Sequence, residues 1–451
     1  MQYTAVTEVH MKKKIPIRQR TWYKLDNAAK VFPGQNSSSW SNCFRLSATL
    51  TEKVDPELLE KAVKMIMPRF PSFDVRMRAG FFWHYLEKNP HGAPPILPDM
   101  ANPCQRFKWK ENNGYLFKVY YYENRISVEF YHSITDGFGS SRFFMTLIAV
   151  YLRLTGKDIP DGEAVFDINE KPKPEELEDS YSKNCNSNAK AKRMQKFAYR
   201  FKGERLPKHF INVTTGYISV EAIKEKAKGH NVTVTEYLAA VLLWTMYNLQ
   251  KQENRKKEKV VGIQIPVNVR SFFGSQTLRN FMLCYTFQID PNMGEYTLPE
   301  IIKQLSLYLR FVNNEKELQA MIKGNLGIEK NPIMRIIPSV VKDFGVSMVY
   351  KIAGEKQTSC LISNVGIMKA PKEMEQYIEK LVLVMGPAMI NGARCGALSY
   401  KGTLAFSISN IYKDPKIQRE FFTTLVKLGI PVKIESNRHL IKGGDGDVIL
   451  R

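Results

Sequence analysis

The chain reads as an α+β protein in which mixed β-sheets carry helices on one face. Three observations predict this. Alternating strand patterns and helical apolar stripes recur in both halves of the 451 residues. The stretch 163–190 between them is rich in Pro, Glu, Ser and Asn and has no sustained apolar period. No fixed-period repeat runs through the chain, so the two halves are expected to be separate layered units rather than a solenoid. The length suffices for two or three cores. An N-terminal subdomain at 1–165, a crossover linker at 166–208 and a C-terminal subdomain at 209–451 are expected.

In the first half, residues 42–51 alternate apolar and polar and predict a strand. Asp55 then caps a helix in which Leu58, Leu59, Ala62, Val63 and Ile66 recur at helical spacing, ended by Pro68. Residues 73–77 and 81–86 read as a hairpin around Ala79-Gly80. Residues 115–122 and 125–131 read as two strands joined by a turn at Glu123-Asn124. Ile126, Val128, Phe130 and His132 share one parity, which places the histidine on the apolar side. Residues 140–154 predict a helix buried along Phe143, Phe144, Leu147, Ile148 and Tyr151.

The second half predicts helices at 219–228 and 235–249, the latter with Thr235 as N-cap and a core stripe of Leu238, Val241, Leu242 and Met246. Strands follow at 260–267 and 283–289, and an amphipathic helix at 299–313. Further strands are expected at 360–365, 381–385, 397–400 and 403–408, then a helix at 418–428 and a strand at 432–434. The aromatic stretches 120–122 and Phe143-Phe144 read as core.

The hydrophobic fraction of 44% and charged fraction of 24% are those of an ordinary globular protein. The start of the chain turns basic (Lys12, Lys13, Lys14, Arg18, Arg20) without the apolar run of a signal peptide. The apolar run 237–247 falls short of the ~18–20 residues that a bilayer span needs. Six cysteines, none in a Cys-x-x-Cys pair, argue against a disulfide framework and a zinc site and for a reducing cytoplasm. The net charge of +22 fits a solubilising surface or an anionic partner such as coenzyme A phosphates or an acidic carrier. Basic residues cluster at 190–208 (Lys192, Arg193, Lys196, Arg200, Lys202, Arg205) and 251–259 (Arg255, Lys256, Lys257). Neither cluster shows a helix-turn-helix pattern, and no nucleic acid is expected as partner.

The residues that carry chemistry are His132-Ser133-Ile134-Thr135-Asp136-Gly137. An imidazole titrating near neutrality at the end of a strand suits a general base. The other histidines (His10, His84, His91, His209, His230, His439) have no partners at ligand or triad spacing and read as surface or turn residues. No metal site is expected. No Gly-x-Ser-x-Gly elbow, P-loop or dinucleotide fingerprint occurs, which disfavours hydrolase, kinase and dehydrogenase chemistry.

His132-x-x-x-Asp136-Gly137 resembles the active-site motif of the chloramphenicol acetyltransferase-like superfamily, which includes BAHD acyltransferases, condensation domains and alcohol acetyltransferases. Further stretches follow in the family's order. Residues 235–240 through Trp244 resemble its second-domain helix, and Pro266-Val267-Asn268-Val269-Arg270 with Arg279-Asn280-Phe281 resembles its strand-plus-loop signature. Ser363-Asn364-Val365-Gly366 resembles the segment that crosses to the other domain. The resemblance runs from about Trp22 to Asn437 and is nearest to bacterial alcohol acetyltransferase-like proteins.

The resemblance implies two subdomains, each a mixed sheet flanked by helices, with a tunnel between them. It implies transfer of an acyl group, acetyl in the simplest case, from a coenzyme A thioester to an alcohol or amine. His132 would be the general base, and acyl-coenzyme A a co-substrate rather than a bound cofactor. Asp136 would pair with Arg270, and Gly137 would let the chain turn out of the strand. Ser363, Asn364, Thr358 and Ser359 are implied candidates for the oxyanion, Asn364 or Ser363 foremost. Asn280 is a further oxyanion or substrate candidate whose role the resemblance leaves open. Tyr131 stands where condensation domains carry a second histidine, which disfavours peptide-bond formation. Asp343-Phe344-Gly345 continues as Val346-Ser347 and does not match the Asp-Phe-Gly-Trp-Gly motif of the BAHD enzymes. A donor bound to a phosphopantetheinyl carrier protein, or an inactive binding protein on the same fold, is the alternative.

Overall fold

The computed structural model describes residues 22–36, 41–185, 195–207, 210–253, 257–330, 336–339, 341–345, 348, 355–387 and 392–438. The basic residues Lys12, Lys13, Lys14, Arg18, Arg20, Lys192, Arg193, Arg255 and Lys256, the histidines His10, His209 and His439, and Val346-Ser347 lie outside the described residues.

The first half contains β1 (Trp22–Lys24), β2 (Cys43–Leu50), α1 (Pro56–Ile66), β3 (Val75–Ala79), β4 (His84–Lys88), β5 (Ile96–Pro98), β6 (Phe117–Tyr122), β7 (Arg125–Tyr131) and α2 (Gly137–Leu154). Two short helices follow, α3 (Pro174–Leu177) and α4 (Ser180–Lys183). The second half contains β8 (Asn212–Ser219), α5 (Val220–Gly229), α6 (Val234–Gln252), β9 (Val261–Asn268), α7 (Arg270–Phe273), β10 (Met282–Ile289), α8 (Leu298–Val312) and α9 (Glu315–Lys330). It ends with β11 (Cys360–Ile367), α10 (Lys372–Glu375), β12 (Ile378–Met385), β13 (Ala393–Tyr400), β14 (Thr403–Asn410), α11 (Lys416–Lys427) and β15 (Val432–Ser436).

The described strands form three sheets, as α+β patterning requires. β1, β4 and β3 make a small antiparallel sheet. The order β12-β2-β7-β6-β5 makes a mixed sheet in which β5 and β6 run parallel. The order β10-β9-β11-β13-β14-β8-β15 makes a second mixed sheet in which β9, β11 and β13 run parallel. The helices start where side chains cap them. Asp55 accepts from the N–H groups of Glu57 and Leu58 ahead of α1, whose Leu59, Ala62, Val63 and Ile66 are buried. α2 is buried over most of its surface, including Phe143, Phe144, Leu147 and Ile148.

Several expectations need correcting. α6 is capped by Thr233, not Thr235: Thr233 and Glu236 form a reciprocal capping box, the stronger arrangement for the exposed N–H groups. Residues 363–366 do not cross to the other sheet, because β11 lies inside the seven-stranded sheet between β9 and β13. The crossing strand is β12, which pairs with β2 from Ile378↔Leu50 to Met385↔Phe44. The 209–451 range thus lends an edge strand to the sheet of the first half, and Leu381 and Leu383 join the same core as Leu46 and Val128. His84 is not a surface residue: it is buried in β4, its Nε2 2.8 Å from Asp343 Oδ2. No helix among the described residues is long and apolar enough to cross a membrane.

Candidate active site

The chain leaves β7 at Tyr131, and the next residue, His132, anchors its backbone N–H on the Asn42 carbonyl at 3.0 Å. The half-buried imidazole stacks on Phe32, with ring centroids 4.9 Å apart, and meets Phe44 edge-on at 5.1 Å. Its Nδ1 lies 2.9 Å from Asn280 Oδ1. The orientation of that amide is set from its other end. Asn280 Nδ2 donates to the His132 carbonyl at 2.9 Å and to Asp26 Oδ2 at 3.2 Å. Oδ1 therefore faces the ring, Nδ1 carries the proton, and Nε2 keeps its lone pair for the cavity. Burial holds the imidazole below its ordinary range, while the Asp136 carboxylate and the Asn280 bond pull it up and Arg394 presses it down. The ring is neutral at pH 7, as a base must be.

Asp26 stands behind Asn280, fully buried, and accepts the Ala29 N–H at 2.8 Å. Burial pushes its carboxyl up to about 6, against the pull of Arg279.

Asp136 caps α2, accepting from the N–H groups of Phe138 and Gly139 at 3.1 and 3.4 Å. It also receives Phe281 N–H at 2.8 Å and both terminal nitrogens of Arg270, at 2.9 and 3.0 Å. Arg270 in turn donates Nε to the Thr277 carbonyl at 2.9 Å and reaches Asn268 Oδ1 at 3.1 Å. The carboxylate thus ties the start of α2 to the loop between β9 and β10. Among the described residues it makes no hydrogen bond to His132.

Gly137 does not serve as a turn. It is the first residue of α2 with no left-handed φ, and a Cβ there would lie 3.0 Å from Val365 Cγ2 on β11. Its lack of a side chain lets the start of α2 come close to β11. Gly139 is tighter, since a Cβ would fall 2.0 Å from the Leu278 carbonyl oxygen.

A cavity of about 250 Å³ opens at the seam. The first half lines it with Phe32, His132 and Met145, the second with Cys284, Ser363 and Arg394. Along β11, alternation turns Leu361, Ser363 and Val365 toward the cavity, while Ile362 packs into the core of the seven-stranded sheet. A bulge after Asn364, with Gly366 at φ 86°, ends that run. Ser363 Oγ makes no hydrogen bond to a described residue and faces the cavity. Asn364 is committed elsewhere, donating to Thr235 Oγ1 and accepting Gly366 N–H, each at 2.9 Å. Thr358 and Ser359 are fully buried at the start of β11, and neither lines the cavity. A second cleft of about 980 Å³ shares Pro266, Val267, Asn268 and Asn364 as walls with the first and carries Lys224, Lys228 and Arg310.

A family model described as alcohol acetyltransferase matches residues 178–390. No curated protein matches the sequence. Among solved structures, the chain is similar to polyketide synthase associated protein 5 from Mycobacterium tuberculosis, with a TM-score of 0.58 and 15% identity over 90% of this chain and 97% of that one. It is similar to F. graminearum TRI101 complexed with ethyl coenzyme A, with a TM-score of 0.58 and 12% identity over 93% and 100%. The epimerization domain of tyrocidine synthetase B shows the same fold, with a TM-score of 0.54 and 12% identity over 90% and 95%. The chain shares the fold of these solved structures, and the alcohol acetyltransferase model matches a little under half of it.

The site also has features that the sequence did not announce. Asn280 orients the His132 ring. Asp26 and Phe32 brace it from a segment with no motif. Arg394 enters from β13, where one arginine in an alternating strand reads as an ordinary surface residue. Cys284 is a thiol in the same cavity, and burial pushes it up to about 12. It therefore stays protonated at neutral pH.

Proposed function

We propose that this acyltransferase moves an acyl group, acetyl in the simplest case, directly from a coenzyme A thioester to an alcohol or amine, with His132 as general base. The observation that carries the reading is the fixed tautomer: Asn280 Oδ1 accepts from the His132 Nδ1–H, which leaves Nε2 as the acceptor on the cavity side. Nε2 removes the proton from the acceptor as its oxygen or nitrogen attacks the thioester carbonyl. The tetrahedral oxyanion then collapses, the C–S bond breaks, and the same nitrogen returns the proton to the departing thiolate. Ser363, whose hydroxyl faces the cavity, is the best placed of the candidates to donate to the oxyanion. Asn364 holds β11 against α6 instead. The two substrates meet at the seam, which supplies rate by orientation.

The cleft with Lys224, Lys228 and Arg310 suits the donor, since its cations match coenzyme A phosphates and it adjoins the cavity through Asn268 and Asn364. The cavity of about 250 Å³ remains for a small acceptor. The test is incubation with acetyl-coenzyme A and a panel of alcohols and amines, following free thiol and acylated product together. Equal yields of both support the reading. Thiol release without an acylated acceptor, or activity confined to carrier-bound thioesters, contradicts it.

A further inference from the structure

We propose that Arg394 makes the acceptor end of the cavity a binding site for a carboxylate, so that the preferred acceptors are hydroxy- or amino-carboxylates. The inference rests on the acyl-transfer reading above and names its substrate class. Arg394 is 8% exposed and lines the cavity together with His132. Its Nε is buried without a hydrogen-bond partner, and no carboxylate among the described residues pairs with the guanidinium. The other charges of the lining are spoken for: Asp136 holds Arg270, and Glu163 holds Arg142 and Lys369 at 3.3 and 3.2 Å. Residues 388–391, just ahead of β13, are Ala-Met-Ile-Asn and bring no acid.

A buried cation without a counter-charge is costly, and a ligand that supplies the charge recovers that cost on binding. The guanidinium fork matches a planar carboxylate with two parallel bonds. Position decides which substrate carries it. Arg394 lines the cavity but not the basic cleft, so it serves the acceptor rather than the donor phosphates. It pairs in register with Leu361, two residues before Ser363, which puts it roughly 7 Å along the strand from the proposed oxyanion donor. The carboxylate is a spectator. The acceptor hydroxyl loses its proton to Nε2 and gains the acyl group, coenzyme A leaves as the thiol, and the carboxylate stays on Arg394 throughout.

The experiment compares a series of ω-hydroxycarboxylates with the matching diols as acceptors, in the wild-type protein and in Arg394→Gln and Arg394→Lys. Wild type is expected to prefer the carboxylate member of each pair. Arg394→Gln should lower the carboxylate-to-diol ratio of kcat/KM about 10- to 100-fold, chiefly through KM, and Arg394→Lys should lower it less. A ratio that does not change, with both classes slowed alike, overturns the proposal and assigns Arg394 to the transition state or the fold. Calorimetric titration of the hydroxycarboxylates into His132→Ala, with and without Arg394→Gln, reads the site without turnover. Loss of binding with Arg394→Gln supports the proposal even where no acceptor is acylated, and undiminished binding overturns it even where acylation proceeds.

Discussion

At His132 the decisive partner is a neutral amide rather than a carboxylate. Asn280 accepts from Nδ1–H and so fixes which nitrogen can take a proton. Asn280→Ala frees the ring to change tautomer and tilt, and kcat should fall on the order of 100-fold at temperatures where the variant is folded. Because the buried Asp26 carboxylate and the His132 carbonyl also lose a donor, the melting temperature should drop as well. Steady-state rates taken well below the melt separate the two effects. The pH profile follows from burial. In the proposed mechanism the working base is the neutral imidazole; burial lowers its pKa below the ordinary 6.5, so activity should be lost only as falling pH protonates it. The acid limb of kcat/KM should therefore lie below 6.5, and a limb at or above 6.5 would show the ring to be better solvated than its stacking on Phe32 implies. His132 and the pairing of Asp136 with Arg270 were readable because a short motif and its family order name them. Asn280 could be named but not given a role, and Asp26 could not be named. It lies 254 positions from the amide that it holds, and its neighbours carry no motif.

At the level of elements, Asp136 joins α2 to the loop after β9 through Arg270 and Phe281 N–H. Asp136→Ala leaves a buried guanidinium unpaired and α2 uncapped, so a loss of about 3–5 kcal/mol is expected in urea denaturation. A loss below about 1 kcal/mol would mean that the pair only touches the fold. α2 starts at Gly137, three residues before the apolar pattern sets in at 140. Two glycines in the first turn weaken the helical signal, and what forms that turn is the Asp136 side chain together with the close approach of Leu278. The strand at 381–385 was legible as a strand. Its apolar alternation is the same for either sheet, so its pairing with β2 was not.

Across the whole molecule, two mixed sheets meet along β11, β12 and the start of α2, and the imidazole lies at that seam facing a cavity built from both. The two-layered α+β plan was legible because strand and helix periods differ and each half repeats them. The seam was not, because it is made by residues such as Phe32, Cys284 and Arg394, which meet only after the sheets dock. Everything functional in this reading depends on one neutral imidazole working in that cavity. Thiol release from acetyl-coenzyme A with an accepted alcohol, measured for wild type and His132→Ala at matched folding by circular dichroism, tests it most directly. The variant should fall about 10²- to 10⁴-fold in kcat with its melting temperature kept. A variant that releases thiol at the wild-type rate would contradict it.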